Sequence, residues 1–395
     1  MTTHRVLFAA ALASLTAMGC SDGSSGAAPP GDGELLPPES GQGVQLSMEA
    51  TIEAGQEIEY CQYLVIDEDV DVGVFEHRYS PGSHHLLLYL TTLAPEDVVD
   101  DAARFDCSGR DDLALGGIAY AAQVPEGVTD FPAGVAMRFH RGQVVLMQTH
   151  YLNTTDAALD ADVRLNLRAS PVPVQQEAGT LFFYDYSIVV PPHGQAKAKM
   201  RCELGADIEV SFAMSHMHRR GVGYTSRISG KGLEQPRTLY ETDRWEGVEP
   251  LVLDPPLSAQ AGQVVEFECD YDNQTADTFI EGPSASKNEM CMFVATYWPR
   301  LELADELCLR PGSGPVHDGT RSCAETVACV QGTDDEVTQE QCQVQTCAGS
   351  SPALGDLNQC IFFHCSEVCP NGDACAACVA ESCTPEYLTC QSASC

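Results

Sequence analysis

Residues 208–220, IEVSFAMSHMHRR, contain two histidines that continue the apolar positions of a predicted β-strand. Side chains alternate between the two faces of a strand, so every second residue here is predicted to share one face. The residues on that face are Ile208, Val210, Phe212, Met214, His216 and His218. The two imidazoles therefore point the same way, towards a space that faces a core. Two interpretations remain open at this point: hydrogen-bonded core histidines, or half of a metal site.

Length and charge narrow the function classes. The chain has 395 residues, enough to bury more than one core, and a net charge of −36 with a pI near 4.4. Such an acidic protein repels the phosphates of nucleic acid, so a nucleic-acid partner is not expected.

The N-terminus predicts export. Residues 6–18 form a short apolar run that ends in Ala17-Met18-Gly19-Cys20, a pattern typical of a bacterial lipoprotein signal. We predict a signal peptide over 1–19, lipidation of Cys20 and a flexible Gly/Ser/Pro-rich tether over 20–45. The protein would then be anchored at the bacterial envelope, outer membrane or cell surface, by lipid alone. An ordinary cleaved signal peptide, and hence a secreted protein, is the alternative.

From residue 46 the sequence predicts an all-β protein. Short β-prone runs are separated by Gly, Pro, Asp and Asn clusters, and no long amphipathic helix is evident. The segment 169–177, ASPVPVQQE, interrupts this pattern and is a plausible boundary. We therefore predict two consecutive antiparallel β-sandwich (jelly-roll-like) domains, 46–170 and 171–310.

Residues 311–395 differ in composition. Twelve of the nineteen cysteines lie in this segment, and only Cys375 and Cys378 have CxxC spacing. In an exported protein this pattern favours a small, separate tail domain of short helices stapled by disulfides, without a catalytic role. A cysteine-rich metal store is the alternative.

Other histidines supply further candidate ligands. His84 and His85 begin an apolar strand after Pro81-Gly82, and both reach one metal only if the backbone bends there. His150 shares a strand face with Val144, Leu146 and Gln148 in VVLMQTHYLN. By itself the His84-His85 pair is as compatible with chance as with a metal site, and His150 alone is better interpreted as a core histidine. Met290, in NEMC, begins another apolar strand, and a lone methionine usually serves packing.

Four short motifs, HHLLL, QTHY, HMH and NEMC, occur in this order across the two predicted β domains. Because of these four motifs and their order, the chain from about residue 46 to 308 resembles the copper type II, ascorbate-dependent monooxygenases. That family includes peptidylglycine α-hydroxylating and dopamine β-monooxygenases. The resemblance implies two coppers per chain and ascorbate or another one-electron donor as co-substrate.

Site residues follow from the same resemblance. It implies His84, His85 and His150 as ligands of an electron-donating copper in the first domain. His216, His218 and Met290 would bind the oxygen-activating copper and carry the catalysis. Gln148 would support the first site without binding the metal. Three disulfides are also implied, Cys61–Cys107, Cys202–Cys308 and Cys269–Cys291.

Two positions depart from the peptide-amidating members of that family. Met214 stands where they have an arginine for the substrate carboxylate, and Val294 stands where they have a tyrosine. A methionine cannot pair with a carboxylate as a guanidinium does, so the pocket at Met214 and Val294 is expected to be apolar. The resemblance implies an exported dicopper monooxygenase that uses O2 to hydroxylate a C–H bond of an unidentified small molecule or peptide. The alternative is a copper-binding surface lipoprotein for storage, delivery or sensing without turnover.

Overall fold

A computed structural model describes residues 35–98, 103–110, 113–366, 368–369 and 372–395. The predicted signal peptide and Cys20 lie outside the described residues. Residues 36–395 form one compact unit. The predicted tether is too long at its end, because the first strand already begins at Gly43 and pairs with a later strand. Within the described ranges, no helix has the length and apolarity needed to cross a membrane.

The first half of the chain forms two sheets that face each other. One has the order β1-β10-β3-β8-β11 with β7 added on β3, and the other has the order β5-β2-β9-β4-β6. Alternating apolar side chains from both sheets fill one core, with Phe75, Leu88, Met147 and Leu165 among them. The strands are β1 Gly43–Ile52, β2 Glu57–Val65, β3 Val70–Tyr79, β4 Ser83–Thr91, β5 Phe105–Asp106, β6 Leu115–Ala122, β7 Glu126–Asp130, β8 Val135–Phe139, β9 Val144–Leu152, β10 Leu159–Ala169 and β11 Gln176–Glu177.

A second pair of sheets follows, with its own core around Phe183, Phe267, Tyr271 and Phe293. The sheet orders are β12-β21-β15-β18 and β17-β16-β19-β14-β22, and β13 pairs with β20. The predicted all-β class is therefore confirmed. The strands are β12 Gly179–Asp185, β13 Val189–Val190, β14 Gln195–Glu203, β15 Ile208–Met217, β16 Gly221–Gly230, β17 Arg237–Thr242, β18 Leu251–Ala259, β19 Gln263–Asp272, β20 Phe279–Ile280, β21 Cys291–Trp298 and β22 Gly314–Pro315.

Strand β15 does not keep one face along its length, which corrects the prediction from period-2 alternation. Its pairing register shifts between Val210 and Phe212, as in a β-bulge. Before the shift Val210 lies in the second core, whereas after it Ala213 takes that side and Met214 packs with Ala121 of the first sandwich. The extra residue rotates the end of the strand, so His216 faces the first sandwich instead of its own core.

The tail is a bundle of short helices with a small cysteine-rich core. Its six disulfides are Cys323–Cys390, Cys329–Cys342, Cys347–Cys395, Cys360–Cys383, Cys365–Cys378 and Cys369–Cys375. Cys375 and Cys378, the CxxC pair, thus bond to different partners. A single helical turn, α1 Leu303–Glu306, precedes the tail. The tail helices are α2 Cys323–Gln331, α3 Glu336–Val344, α4 Ser351–Cys365, α5 Gly372–Ser382 and α6 Thr384–Ser392.

Helices α3 and α4 contact the second sandwich, so the tail is docked on it. The peptide N–H of His317 donates to Ser351 Oγ at 3.0 Å, and that of Gly312 donates to Asp356 Oδ1 at 2.8 Å. Every cysteine of the described residues is in a disulfide, which is typical of an extracellular or exported protein.

Glu340 of α3, which lies near Glu281 of the second sandwich, is expected to make the stability of the protein depend on pH. Its Oε2 is buried and has no hydrogen-bond partner among the described residues. Burial, with the nearby charges of Glu281 and Glu336, raises the pKa of Glu340 to about 8. Unfolded, the group titrates near 4.5. The stability that this raised pKa contributes is fully present below pH 4.5 and is lost as the pH rises through 8.

We therefore expect the free energy of unfolding of Glu340→Gln to exceed that of the parent by about 1–2 kcal/mol at pH 9 and to be nearly equal to it at pH 4.5. The expected difference is smaller than the full pKa shift implies because Glu340 is partly exposed to solvent. Urea unfolding at both pH values measures the difference. Glu381→Gln, at an exposed residue of α5, is the control. An equal effect of Glu340→Gln at the two pH values would contradict the assignment.

Candidate metal centre

His84 and His85 reach the same space because strand β4 bends at its start. Its register with β9 shifts between Ser83 and His85, and Gly82 before it adopts φ +92. That conformation suits glycine because it has no Cβ. After the shift His85 lies opposite His150 on β9. The candidate ligand nitrogens of the three histidines all lie within 4.8 Å of one another.

His216 near the end of β15 and His218 just beyond it meet this trio across the boundary between the sandwiches. Ring centroids of His216 and His218 are 5.1 Å apart, and His216 lies 5.2 Å from His85 and 5.7 Å from His84. His218 lies 6.5 Å from His84. The five imidazoles thus form one continuous cluster, whereas the sequence predicted only two separate sets.

All five side chains are buried, with 0–7% of their surface exposed. Burial, together with the neighbouring imidazoles, lowers the pKa of His84, His85 and His218 well below the usual histidine value. Burial likewise lowers the pKa of His216 to about 3. These imidazoles are therefore neutral at neutral pH, the form in which histidine binds metals.

Unpaired nitrogens remain inside the cluster. Both ring nitrogens of His84 and of His85, Nδ1 of His150 and Nε2 of His218 are buried without a hydrogen-bond partner among the described residues. Leaving a buried polar atom unpaired costs about 1–3 kcal/mol. So many unpaired imidazole nitrogens in one place fit a bound metal ion.

The outward nitrogens of three of these rings have acceptors, which set the tautomer. His216 Nδ1 lies 2.6 Å from Gln123 Oε1, and His218 Nδ1 lies 3.3 Å from the carbonyl oxygen of Asn288. His150 Nε2 lies 3.2 Å from Glu57 Oε1. When these nitrogens donate, the other nitrogen of each ring keeps its lone pair for a metal.

Glu57 and Gln123 both connect the sandwiches at this point. Ser284 and Ser286 of the second sandwich donate to the Glu57 carboxylate. Although burial alone would raise it, hydrogen bonds from His150 and the two serines lower the pKa of Glu57 to about 2. Gln123 Nε2 donates to the carbonyl oxygen of Ser215 at 2.6 Å. Neither residue was identified from the sequence, since neither belongs to a motif.

Gln123→Leu is expected to weaken copper binding at the His216–His218 end by about 10–100-fold, because His216 loses the acceptor that orients it. Chelator competition measures the affinity. Gln148→Leu is the matched control, since Gln148 donates to Glu59 Oε2 at 3.4 Å and accepts from Tyr89 at 3.3 Å and has no hydrogen bond to a histidine among the described residues. Equal affinities in the two variants would contradict this role for Gln123. The support of the first site by Gln148 stays a prediction.

A cavity of about 320 Å³ adjoins the cluster. His85 and His216 contribute to its wall, as does Met290, so the three lie around one space. Most of the remaining lining is apolar and comes from both sandwiches. It includes Leu87, Ala121, Phe182, Met214, Met292 and Val294. Met214 and Val294 therefore lie where the sequence placed a pocket.

Arg220, two residues after His218, holds the segment that carries Met290. Its Nη1 lies 3.1 Å from Glu289 Oε1, its Nη2 donates to the carbonyl oxygen of Ser286, and its Cζ lies 3.4 Å above the Phe279 ring centroid. The structure also contains the three disulfides that the resemblance implied. Cys269–Cys291 lies directly beside Met290, whereas Cys202–Cys308 and Cys61–Cys107 lie elsewhere in the two sandwiches.

Comparison with known proteins gives one family match. Residues 177–318 match the family described as "Copper type II ascorbate-dependent monooxygenase, C-terminal domain". No curated protein matches the chain.

Among solved structures, similarity was found to the major capsid protein of bacteriophage PM2, with 9% identity over 65% of this chain and 100% of that chain (TM-score 0.28). The infectious bursal disease virus VP2 subviral particle is also similar, with 9% identity over 69% and 86% of the respective chains (TM-score 0.17). At such TM-scores these likenesses carry no argument.

The matched segment contains His216, His218 and Met290, together with Arg220 and the disulfide beside Met290. It therefore covers the second sandwich with its half of the histidine cluster. Residues 177–318, less than half of the chain, are thus similar to the C-terminal domain of the copper type II, ascorbate-dependent monooxygenases.

Proposed function

We propose that this protein is an exported dicopper monooxygenase that hydroxylates a C–H bond with O2 and electrons from an ascorbate-type donor. The observation that carries the proposal is the cluster of five buried imidazoles with unpaired nitrogens at the boundary of the two sandwiches. Copper bound there would supply the one-electron steps that dioxygen activation by this family requires.

Two donor sets of different chemistry support two coppers. His84, His85 and His150 offer imidazole nitrogens alone, a harder set suited to passing on an electron. His216 and His218 with the thioether of Met290 form a softer set that favours Cu(I) and leaves room for O2. A storage protein has no need of two unlike sites, so this asymmetry favours an enzyme over the alternative of copper storage, delivery or sensing.

The cavity supports an apolar substrate. Its wall at the His216 end consists of Met214, Met292 and Val294, and Phe182 and Leu87 continue it. Met214 itself offers no guanidinium to a peptide carboxylate, and the arginine that lines this cavity, Arg110, comes from the first sandwich. Desolvation of an apolar group in this space would hold its C–H bond near His216 and Met290.

Copper reconstitution of the full chain tests the proposal. We expect two coppers per chain, and ascorbate-dependent O2 consumption that rises when neutral apolar candidate substrates are added. Two coppers without reductant-driven O2 consumption on any substrate would favour storage or delivery. Fewer than two coppers after full reconstitution would refute the assignment of the ligands.

A further inference from the structure

Trp245 lies in the connection between β17 and β18 and reaches across to the first sandwich. Its ring packs at the edge of the second core, and its centroid lies 5.6 Å from that of His84 at an interplanar angle of 58°. Gly247, two residues on, has φ +58, and a Cβ there would meet Arg244 Nη2 at 2.9 Å. The connection therefore turns tightly just beyond the tryptophan, which fixes where the indole lies.

His84 and His85 depend on ring packing more than the other three histidines do. Neither nitrogen of His84 has a hydrogen-bond partner among the described residues, and the same is true of His85, whereas His150, His216 and His218 each have an acceptor at one nitrogen. Only 5% of His84 is exposed, yet Trp245 beside it is partly exposed. The indole therefore lies on the solvent side of His84.

We propose that Trp245 is a positioning residue of the first copper site, a ring carried by the second sandwich that covers His84 and fixes its orientation. The inference rests on the proposed function only in taking His84 as a metal ligand. Contact between Trp245 and His84 also links the two sandwiches over the cluster, because each ring belongs to a different one. Removing the indole would open the first site to water and to chelators while leaving all six candidate ligands in place.

Tryptophan fluorescence tests the contact without turnover. The chain has two tryptophans, and Trp298 is 6% exposed in the first core, on β21. Six residues of strand separate it from Met292, which pairs with His216, a distance of roughly 20 Å at about 3.3 Å per residue. In Trp298→Phe, Cu(II) is expected to quench most of the emission of Trp245, whereas Zn(II), which has no redox chemistry, is not.

The converse variant, Trp245→Phe, should lose much less of the emission of its remaining Trp298 on copper binding. Equal fractional quenching in Trp298→Phe and Trp245→Phe would overturn the contact between Trp245 and His84. This comparison remains valid even if a more drastic variant fails to fold.

Release of metal tests the covering role. In Trp245→Ala we expect the first equivalent of copper to be extracted by a chelator about tenfold faster or more, with two coppers bound at the start. Trp245→Phe should stay within about threefold of the parent, because it keeps a ring against His84. Val252→Ala, at a 66% exposed residue of the strand that follows, is the control.

Unchanged extraction in Trp245→Ala would overturn the covering role. If instead the quenching and extraction results hold but ascorbate drives no O2 consumption, the proposed function fails and the inference about Trp245 stands. The two ideas are therefore separable.

Discussion

Met290→Ile is expected to lower reductant-driven O2 consumption by roughly a hundred-fold or more, because isoleucine fills similar space without a sulfur donor. Met290 lines the cavity with His216, and its carbonyl oxygen accepts from the Tyr271 hydroxyl at 2.8 Å, a contact that the substitution leaves intact. The effect should therefore be chemical and not a loss of fold. Copper analysis and an oxygen electrode, with ascorbate as donor, provide the measurement.

Met292→Ile is the matched control, because it makes the same substitution at a second methionine of the same cavity. Met292 lines the same cavity and lies directly opposite His216 in the pairing of β15 with β21. If Met292→Ile abolishes activity and Met290→Ile does not, the sulfur ligand lies two residues further on than the family resemblance implies. If neither variant changes copper content or O2 consumption, the second site has no thioether ligand.

Arg220→Gln should destabilise the protein by about 1–3 kcal/mol, because it leaves the buried carboxyl of Glu289, whose pKa burial raises to about 7, without its hydrogen-bonding partner. The side chain of Glu289 is 0% exposed and that of Arg220 is 10% exposed. The same guanidinium donates to the carbonyl oxygens of Ser286 and Asn288. Urea unfolding measures the loss.

The substitution should also weaken copper binding. Ser286 donates to Glu57, and the carbonyl of Asn288 accepts from His218, so loosening this segment disturbs both halves of the cluster. Arg219→Gln, at the exposed neighbour, is the control. If Arg220→Gln lowers the free energy of unfolding by less than about 1 kcal/mol, the pair of Arg220 and Glu289 does not hold this segment. The same conclusion follows if the double variant Arg220→Gln with Glu289→Gln is no more stable than Arg220→Gln alone.

Strand faces show how far the sequence could predict the site. Alternation correctly placed His150 with Gln148 and Leu146, since β9 pairs with β2 and β4 without a break in register there. It failed in β15, where a bulge near Ser211 reverses the faces. A bulge arises from pairing with neighbouring strands, so the residue pattern of one strand does not reveal it. For His84 and His85 the preceding Pro81-Gly82 did signal a bend, and the register shift is there.

The residues that orient the candidate ligands could not be predicted from the sequence. Glu57, Gln123 and Arg220 belong to no ligand motif, and each acts by a contact across 66 or more residues of chain. Trp245 contacts His84 only because a loop of one sandwich meets a strand of the other. The packing of the two sandwiches determines which residues contact the candidate ligands, and short sequence motifs carry no information about that packing.

By itself the sequence determined the β-rich class and the cysteine-rich tail, because alternation and composition are local properties. The six candidate ligands followed from the resemblance of four short motifs to a known family. Only the tertiary structure decided that the histidines of both sandwiches form one cluster, that Met290 shares a cavity with them, and which groups orient each ring. The physical reason is that ring contacts and the pairing of buried polar groups depend on how two separately folded cores meet, and a bulge of one residue in β15 directs its histidines towards that meeting surface.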